Sequence, residues 1–340
     1  MENKLNLVND EFVIEDGVLV KYTGDEKEVV IPDGVITIGQ LALANCKSLT
    51  SITIPDSVTS IDNAAFYACG SLASITVPDG VTNIGGSAFH DCNSLTTVII
   101  PNSVTNIGRY AFLCCRSLTS ITLPNSVISI GEEAFGGCSS LTSVVIGDGV
   151  TSIGSNAFAN CMNLTSIEVN ENNLYYSDID GVLFNKDKTE IICYPNKNGE
   201  EYIIPSSVTS IGDYAFNQCD SLINITIPQN LTSIGTRAFY ECNLSYVEIP
   251  NSVTNIGEYA FHIFDIDAYW EAKKDCEGAC YHCDDDECDC CDCVYNSSNI
   301  EKENFLVSKI CIVASLDSYA AQYAKENNIE LEIIEGGEKS

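Results

Sequence analysis

Apolar residues return along most of this chain at a fixed step. The pairs Ile31-Pro32, Ile54-Pro55, Val77-Pro78, Ile100-Pro101, Leu123-Pro124 and Ile146-Gly147 stand 23 residues apart. The frame reaches Val169, breaks, and resumes at Ile204-Pro205, Ile227-Pro228 and, one residue early, Ile249-Pro250. One unit reads L-x-x-I-x-I-P-x-x-V-x-x-I-G-x-x-A-F-x-x-C. Alternation puts Ile52 and Ile54 on one side of a short strand, with Leu49 leading in. Pro55 lacks a backbone donor and ends that strand. Val58 and Ile61 predict a second short extended piece. Asp62 here, and Gly85, Gly108, Gly131 and Gly154 in later units, predict a turn. Ala65-Phe66 and Cys69 are expected to close the coil with a helical or 3-10 turn.

No single unit of this size can bury its own apolar side, so neighbouring coils must stack. Stacking predicts a column of Phe66, Phe89, Phe112, Phe135, Phe158, Phe216, Phe239 and Phe261, with Leu43 in the first place. Three residues after each of these except Phe261 comes a cysteine: Cys46, Cys69, Cys92, Cys115, Cys138, Cys161, Cys219 and Cys242. These could form a ladder of metal or disulfide sites, or serve as small buried side chains that satisfy a turn. Parallel side-chain vectors suit the disulfide dihedral poorly, which favours the second reading. His90, at a variable position after Phe89, is expected to face solvent.

Runs such as Leu72–Ile84 (LASITVPDGVTNI), with Ala88-Phe89 and Cys92, resemble the leucine-rich repeats of the BspA-like, or Treponema pallidum, type. The resemblance covers about residues 31–261. It implies a right-handed leucine-rich-repeat solenoid with a parallel sheet. It also implies proteins used in adhesion, host contact and protein binding, commonly displayed on microbial cell surfaces.

Other segments frame the repeats. Residues 1–30 are expected to form a β cap, with turn signals at Asp16-Gly17 and Thr23-Gly24. Residues 31–169 and 204–261 are two repeat blocks, separated by a hairpin insertion at 170–203 whose phrase DGVLFNKDKTEIICYP looks like a second copy of the N-terminal cap. That insertion is either a projecting contact site or a continuation of the stack, and the latter is favoured. Residues 262–308 form an acidic Cys-rich insertion, and 309–340 a closing strand-helix-strand cap and tail. In the cap, Ser318 is placed to cap a helix carrying Tyr319, Ala320, Tyr323 and Ala324 on one face, ended by Asn327-Asn328.

Charge narrows the function. With 48 acidic against 16 basic residues the net charge is −32, which excludes nucleic acid and anionic membrane as partners by repulsion. No apolar stretch is long enough to span a bilayer. The opening MENKLNLVND carries no basic or apolar signal region, so with Met1 as the true start the expectation is a cytoplasmic protein; the resemblance implies surface display or secretion instead. No G-x-S-x-G elbow, Walker loop, dinucleotide fingerprint or H-E-x-x-H is present, so the chain is not expected to be an enzyme.

One segment could carry metal chemistry. Cys276, Cys280, Cys283, Cys288, Cys290, Cys291 and Cys293, with His282 among them, fall within 18 residues. Dense thiolates suit zinc or another thiophilic metal. A disulfide knot and an acidic segment without a fixed ligand remain open beside the metal cluster.

A protein partner or a glycan is expected instead on the residues between the strand anchors. These are Ser and Thr in most coils, with Thr97, Ile99, Thr122, Val145, Glu168, Thr226, Tyr246 and Glu248 as the contact candidates. Tyr246 is singled out because tyrosine is a common interface anchor.

Overall fold

The computed structural model describes residues 6–7, 11–196, 199–264, 306–307, 310–315 and 317–334. It divides into two compact units, Met1–Asn198 with Ile211–Ala215, and Gly199–Ser210 with Phe216–Ser340.

In the first unit every coil contributes two short strands, and each strand pairs with its counterpart 23 residues away. Thr37–Ile38, Ser60–Ile61, Asn83–Ile84, Asn106–Ile107, Ser129–Ile130 and Ser152–Ile153 form one parallel ladder. Its open end is closed by the expected hairpin: Phe12–Glu15 and Val18–Tyr22 pair antiparallel, and Val18 and Leu19 then pair with Thr37 and Ile38. The hairpin turns on Asp16 (φ 48°) and Gly17 (φ 81°), left-handed positions that suit Asp and Gly. The next strand, Glu28–Val30, does not belong to this cap. It pairs in parallel with Ser51–Thr53 and is the first rung of the second ladder.

That second ladder falls into three short sheets. Glu28–Val30 joins Ser51–Thr53; Ser74–Thr76 joins Thr97–Ile99; Ser120–Leu123 joins Ser143–Ile146 and then Ser166–Val169. Between the two ladders lies the core. Phe66, Phe89, Phe112, Phe135 and Phe158 stack with ring centroids 5.1, 5.1, 5.2 and 5.8 Å apart and near-parallel planes, an offset stack favoured by the ring quadrupoles. Leu43 is fully buried at the head of the coils.

The closing corner differs from the expected helical or 3-10 turn. Bonds of the i to i+3 kind are present, as from the Cys69 amide to the Phe66 carbonyl at 3.2 Å. Yet two residues of each corner, four positions apart, enter the left-handed region (Ala64 φ 54° and Ala68 φ 56°; Ser87 φ 54° and Asp91 φ 58°), so no helix continues. The reason is that alternate amides point along the stack. Phe66 N–H donates to the Ala88 carbonyl, Phe89 to Ala111, and Phe112 to Ala134, at 2.7–2.8 Å. A helix would turn these donors inward on its own carbonyls; here they tie one coil to the next.

The segment after Val169 keeps to the stack. Tyr176–Ile179, Val182–Asn185 and Glu190–Cys193 run antiparallel and turn on Asp180 (φ 50°) and Gly181 (φ 76°), repeating the N-terminal hairpin. Val182, Leu183 and Phe184 are fully buried. The Gly181 carbonyl accepts from Ile167 N–H at 2.9 Å, and the Tyr176 hydroxyl accepts from Ile153 N–H at 3.0 Å.

The second unit repeats the plan. Phe216, Phe239 and Phe261 stack at 4.9 and 5.1 Å. Glu201–Ile203 pairs with Asn224–Thr226, and Tyr246–Glu248 pairs with Cys311–Ala314, which pairs with Glu330–Ile333. The helix Tyr319–Glu326 is capped by Ser318, whose hydroxyl accepts from Ala321 N–H at 3.1 Å. Its buried stripe is Ala320, Ala321, Tyr323 and Ala324. Tyr319, expected on that face, is 40% exposed, because the inward stripe turns it outward. Tyr323 closes the unit: its hydroxyl accepts from Ala260 N–H at 3.1 Å and its ring meets Phe261 edge-on at 6.2 Å. Among the described residues no helix is long and apolar enough to cross a membrane.

Candidate binding groove

Alternation along each second-ladder strand sends one residue in and its neighbours out. Val144 and Ile167 are buried, while Val145 and Glu168 beside them face solvent. The outward row of the first unit therefore reads Val30, Thr53, Thr76, Ile99, Thr122, Val145 and Glu168, one residue per coil. Thr53, Thr76 and Thr122 suit such a place. Ile99, 63% exposed, and Val145, 36% exposed, put apolar side chains there.

Five of the eight partner-contact candidates lie together. Thr97, Ile99, Thr122, Val145 and Glu168 line one half-open groove of about 760 Å³. It crosses the junction between the sheet ending at Thr97–Ile99 and the one beginning at Ser120–Leu123. Three amides that the reading of strand positions alone had missed, Asn102, Asn125 and Asn170, also line it. Asn102 and Asn125 sit just past the proline that ends the strand, and Asn170 takes the place of that proline in its own coil. Among the described residues Glu168 is the one charged residue lining the groove.

The other three candidates belong to the second unit. Thr226, Tyr246 and Glu248 are exposed on its ladder, Tyr246 at 51%. Ile203, 73% exposed, stands on the same ladder, opposite Thr226 in register. It was missed because residues 170–203 were read as an insertion; the Ile204-Pro205 pair that follows marks it as a strand residue equivalent to Ile99.

The cysteine column is a hydrogen-bonding device. Cys69 Sγ donates to the Leu43 carbonyl at 3.1 Å, Cys92 to Phe66 at 3.2 Å, Cys115 to Phe89 at 3.1 Å and Cys138 to Phe112 at 3.3 Å. These thiols are free and buried. Burial pushes the Cys115 and Cys138 thiols up from their ordinary value, and burial followed by the nearby Cys161 pushes Cys193 up to about 12. Such groups hold their protons in the native state and release them more readily when unfolded. Their stabilising effect is complete below the unfolded thiol value of about 9 and is lost as pH rises from there toward about 12. The urea midpoint is therefore expected to fall between pH 8.5 and pH 10. The fall should be smaller in Cys138→Ser, whose hydroxyl can donate but does not titrate in this range; identical falls in both proteins would contradict the assignment.

His90 does not face solvent. It is 7% exposed, with its ring edge-on to Tyr67 at 5.0 Å and Nε2 3.4 Å from Asp91 Oδ2. The corner after the phenylalanine also stacks coil on coil, so Tyr67 of the preceding coil covers it. His90, Asp91 and Cys114 each place a ligand atom within 4.8 Å of the others, but Cys114 is disulfide-bonded and offers no thiolate. Cys276, Cys280, His282, Cys283, Cys288, Cys290, Cys291 and Cys293 lie outside the described residues.

Fold and face together define a repeat protein: a solenoid of short parallel strands that presents an outward ladder. The chain belongs to the BspA type leucine rich repeat region family, whose profile matches residues 21–126, 105–197 and 187–268. A leucine rich cell surface protein from Faecalibacterium prausnitzii is 32% identical, with 74% of this chain and 83% of that one covered and a TM-score of 0.56. A leucine-rich repeat protein from Eubacterium ventriosum is 31% identical over 74% of this chain and 67% of its own, with a TM-score of 0.59. The pneumococcal vaccine antigen PcpA shares the fold at 19% identity, with 96% and 98% covered and a TM-score of 0.53. No curated protein sequence matches the chain.

Proposed function

We propose that this chain is a non-enzymatic, adhesion-type binding protein, displayed at a cell surface, that holds a protein partner against the outward ladder of its first unit. The observation that carries the reading is the groove itself. From Thr53 onward, Ile99 and Val145 interrupt a row of threonines that ends at the carboxylate of Glu168. Exposed apolar side chains beside satisfiable polar groups are the ordinary makings of a recognition surface. The cell-surface relative from Faecalibacterium prausnitzii supports the location.

The test is selection of random displayed peptides on the wild-type protein, counter-screened on the triple variant Ile99→Thr, Val145→Thr, Glu168→Gln. Threonine occupies the equivalent place in neighbouring coils, so the variant should keep its circular dichroism spectrum. Peptides that bind the wild type and not the variant are the expected result. Peptides that never discriminate between the two, or a glycan array that does so in their place, would overturn the reading.

A further inference from the structure

The spacing of the groove's features selects the conformation of what it holds. Ile99 and Val145 are two coils apart, and Glu168 is one coil further along the same row. At about 4.8 Å per coil, the spacing of parallel strands, two coils put the apolar side chains about 9.6 Å apart and three put Glu168 about 14.4 Å from Ile99. A peptide lying along the stack must offer apolar side chains on one face at that interval.

A β-strand fails the match. Its third residue is about 10 Å away but points to the opposite face. A polyproline-II segment repeats every three residues with a rise of about 3.1 Å, so residues i and i+3 share a face about 9.3 Å apart. Residue i+5 then lies about 15.5 Å along, close to the level of Glu168, where a long cationic side chain can reach the carboxylate. Asn102 and Asn125, which also line the groove, can donate side-chain N–H groups to the peptide's carbonyls, which a polyproline-II chain leaves unpaired. Charge complementarity points the same way: the groove's single charge is negative, and the whole chain carries −32.

We infer that the groove of the first unit binds a proline-rich, cation-bearing peptide segment in the polyproline-II conformation, with apolar residues i and i+3 over Ile99 and Val145 and a basic residue at Glu168. This rests on the proposed function above and names its partner chemistry.

The probe is the synthetic peptide Leu-Pro-Pro-Leu-Pro-Arg, acetylated and amidated, titrated calorimetrically into the full-length protein. Saturable binding is expected. It should vanish in the Ile99→Thr/Val145→Thr double variant and weaken about two- to fivefold in Glu168→Gln, the loss expected for an exposed ion pair. Replacing the three prolines by glycine keeps the side-chain order but removes the preformed conformation, and should weaken binding at least several-fold. Exchanging Arg for Glu in the peptide should weaken it further than Glu168→Gln does. The inference is overturned if the proline peptide does not bind, if the double variant binds it equally, or if the glycine peptide binds as well. It is also overturned if a helical peptide with Leu at i and i+7, about 10.5 Å apart, binds more tightly. Discriminating clones of another kind in the peptide selection would leave the broader reading standing while this one fell. No discriminating clone would remove both.

Discussion

Phe112→Ala is expected to destabilise the first unit by about 3–5 kcal/mol. Phe112 is fully buried, with Phe89 stacked on one side at 5.1 Å and Phe135 on the other at 5.2 Å. Removing the ring takes away apolar area and leaves a void that two stacked neighbours cannot both fill. Relaxation is restricted further because both backbone groups of Phe112 are tied to the following coil: its amide donates to Ala134 and its carbonyl accepts the Cys138 thiol. Phe158 sits at the looser end of the column, 5.8 Å from Phe135, so Phe158→Ala should cost less. Urea unfolding followed by far-ultraviolet circular dichroism measures both. A loss below about 1 kcal/mol for Phe112→Ala, or a larger loss at Phe158, would mean that coils do not share a common core.

Gly131→Ala, a change of one methyl group, is expected to cost about 1–3 kcal/mol in the same assay. The repeat glycine was read as a residue that turns the chain. Its role is close approach. A methyl group on Gly131 would lie 2.4 Å from the Arg109 nitrogen and 2.5 Å from the Gly108 carbonyl carbon, both backbone atoms of the preceding coil. Backbone cannot swing aside as a side chain can, so the coils must separate. That separation strains the 2.8 Å bond from Gly131 N–H to the Ile107 carbonyl. Gly34 gives the control for the backbone alone: a methyl there meets nothing within 4 Å, although its φ of 89° disfavours alanine. Hydrogen exchange adds a local test, in which protection of the Gly131 and Gly154 amides should fall before that of distant coils. Wild-type stability in Gly131→Ala would show that the coils can part at no cost.

The repeat was plain in the residues because each position answers to one constraint repeated coil after coil. Ile or Val before proline must enter the core, and the x between them must leave it, so strand direction and the outward row could both be read directly. The two hairpins were legible for a related reason. Asp16-Gly17 and Asp180-Gly181 carry the residues a left-handed turn demands. Other features were hidden. The corner around each phenylalanine carries Ala64, Ala68 and Ser87 in left-handed geometry, although none of those residues asks for it. His90 looked exposed because nothing near it in sequence covers it; Tyr67, which does, is 23 residues earlier.

By itself, then, the sequence determined the period, the stacked phenylalanines and thiols, the capping hairpins and which strand residues face outward. These follow from local alternation and from a spacing that only stacked coils can satisfy. The tertiary structure alone decided that the corners bond along the stack, that glycine is required by the coil in front of it, and that Ile99, Val145 and Glu168 share a groove with Asn102 and Asn125. Those are relations between residues one or more coils apart, and their energies depend on distances between backbones that no single repeat contains.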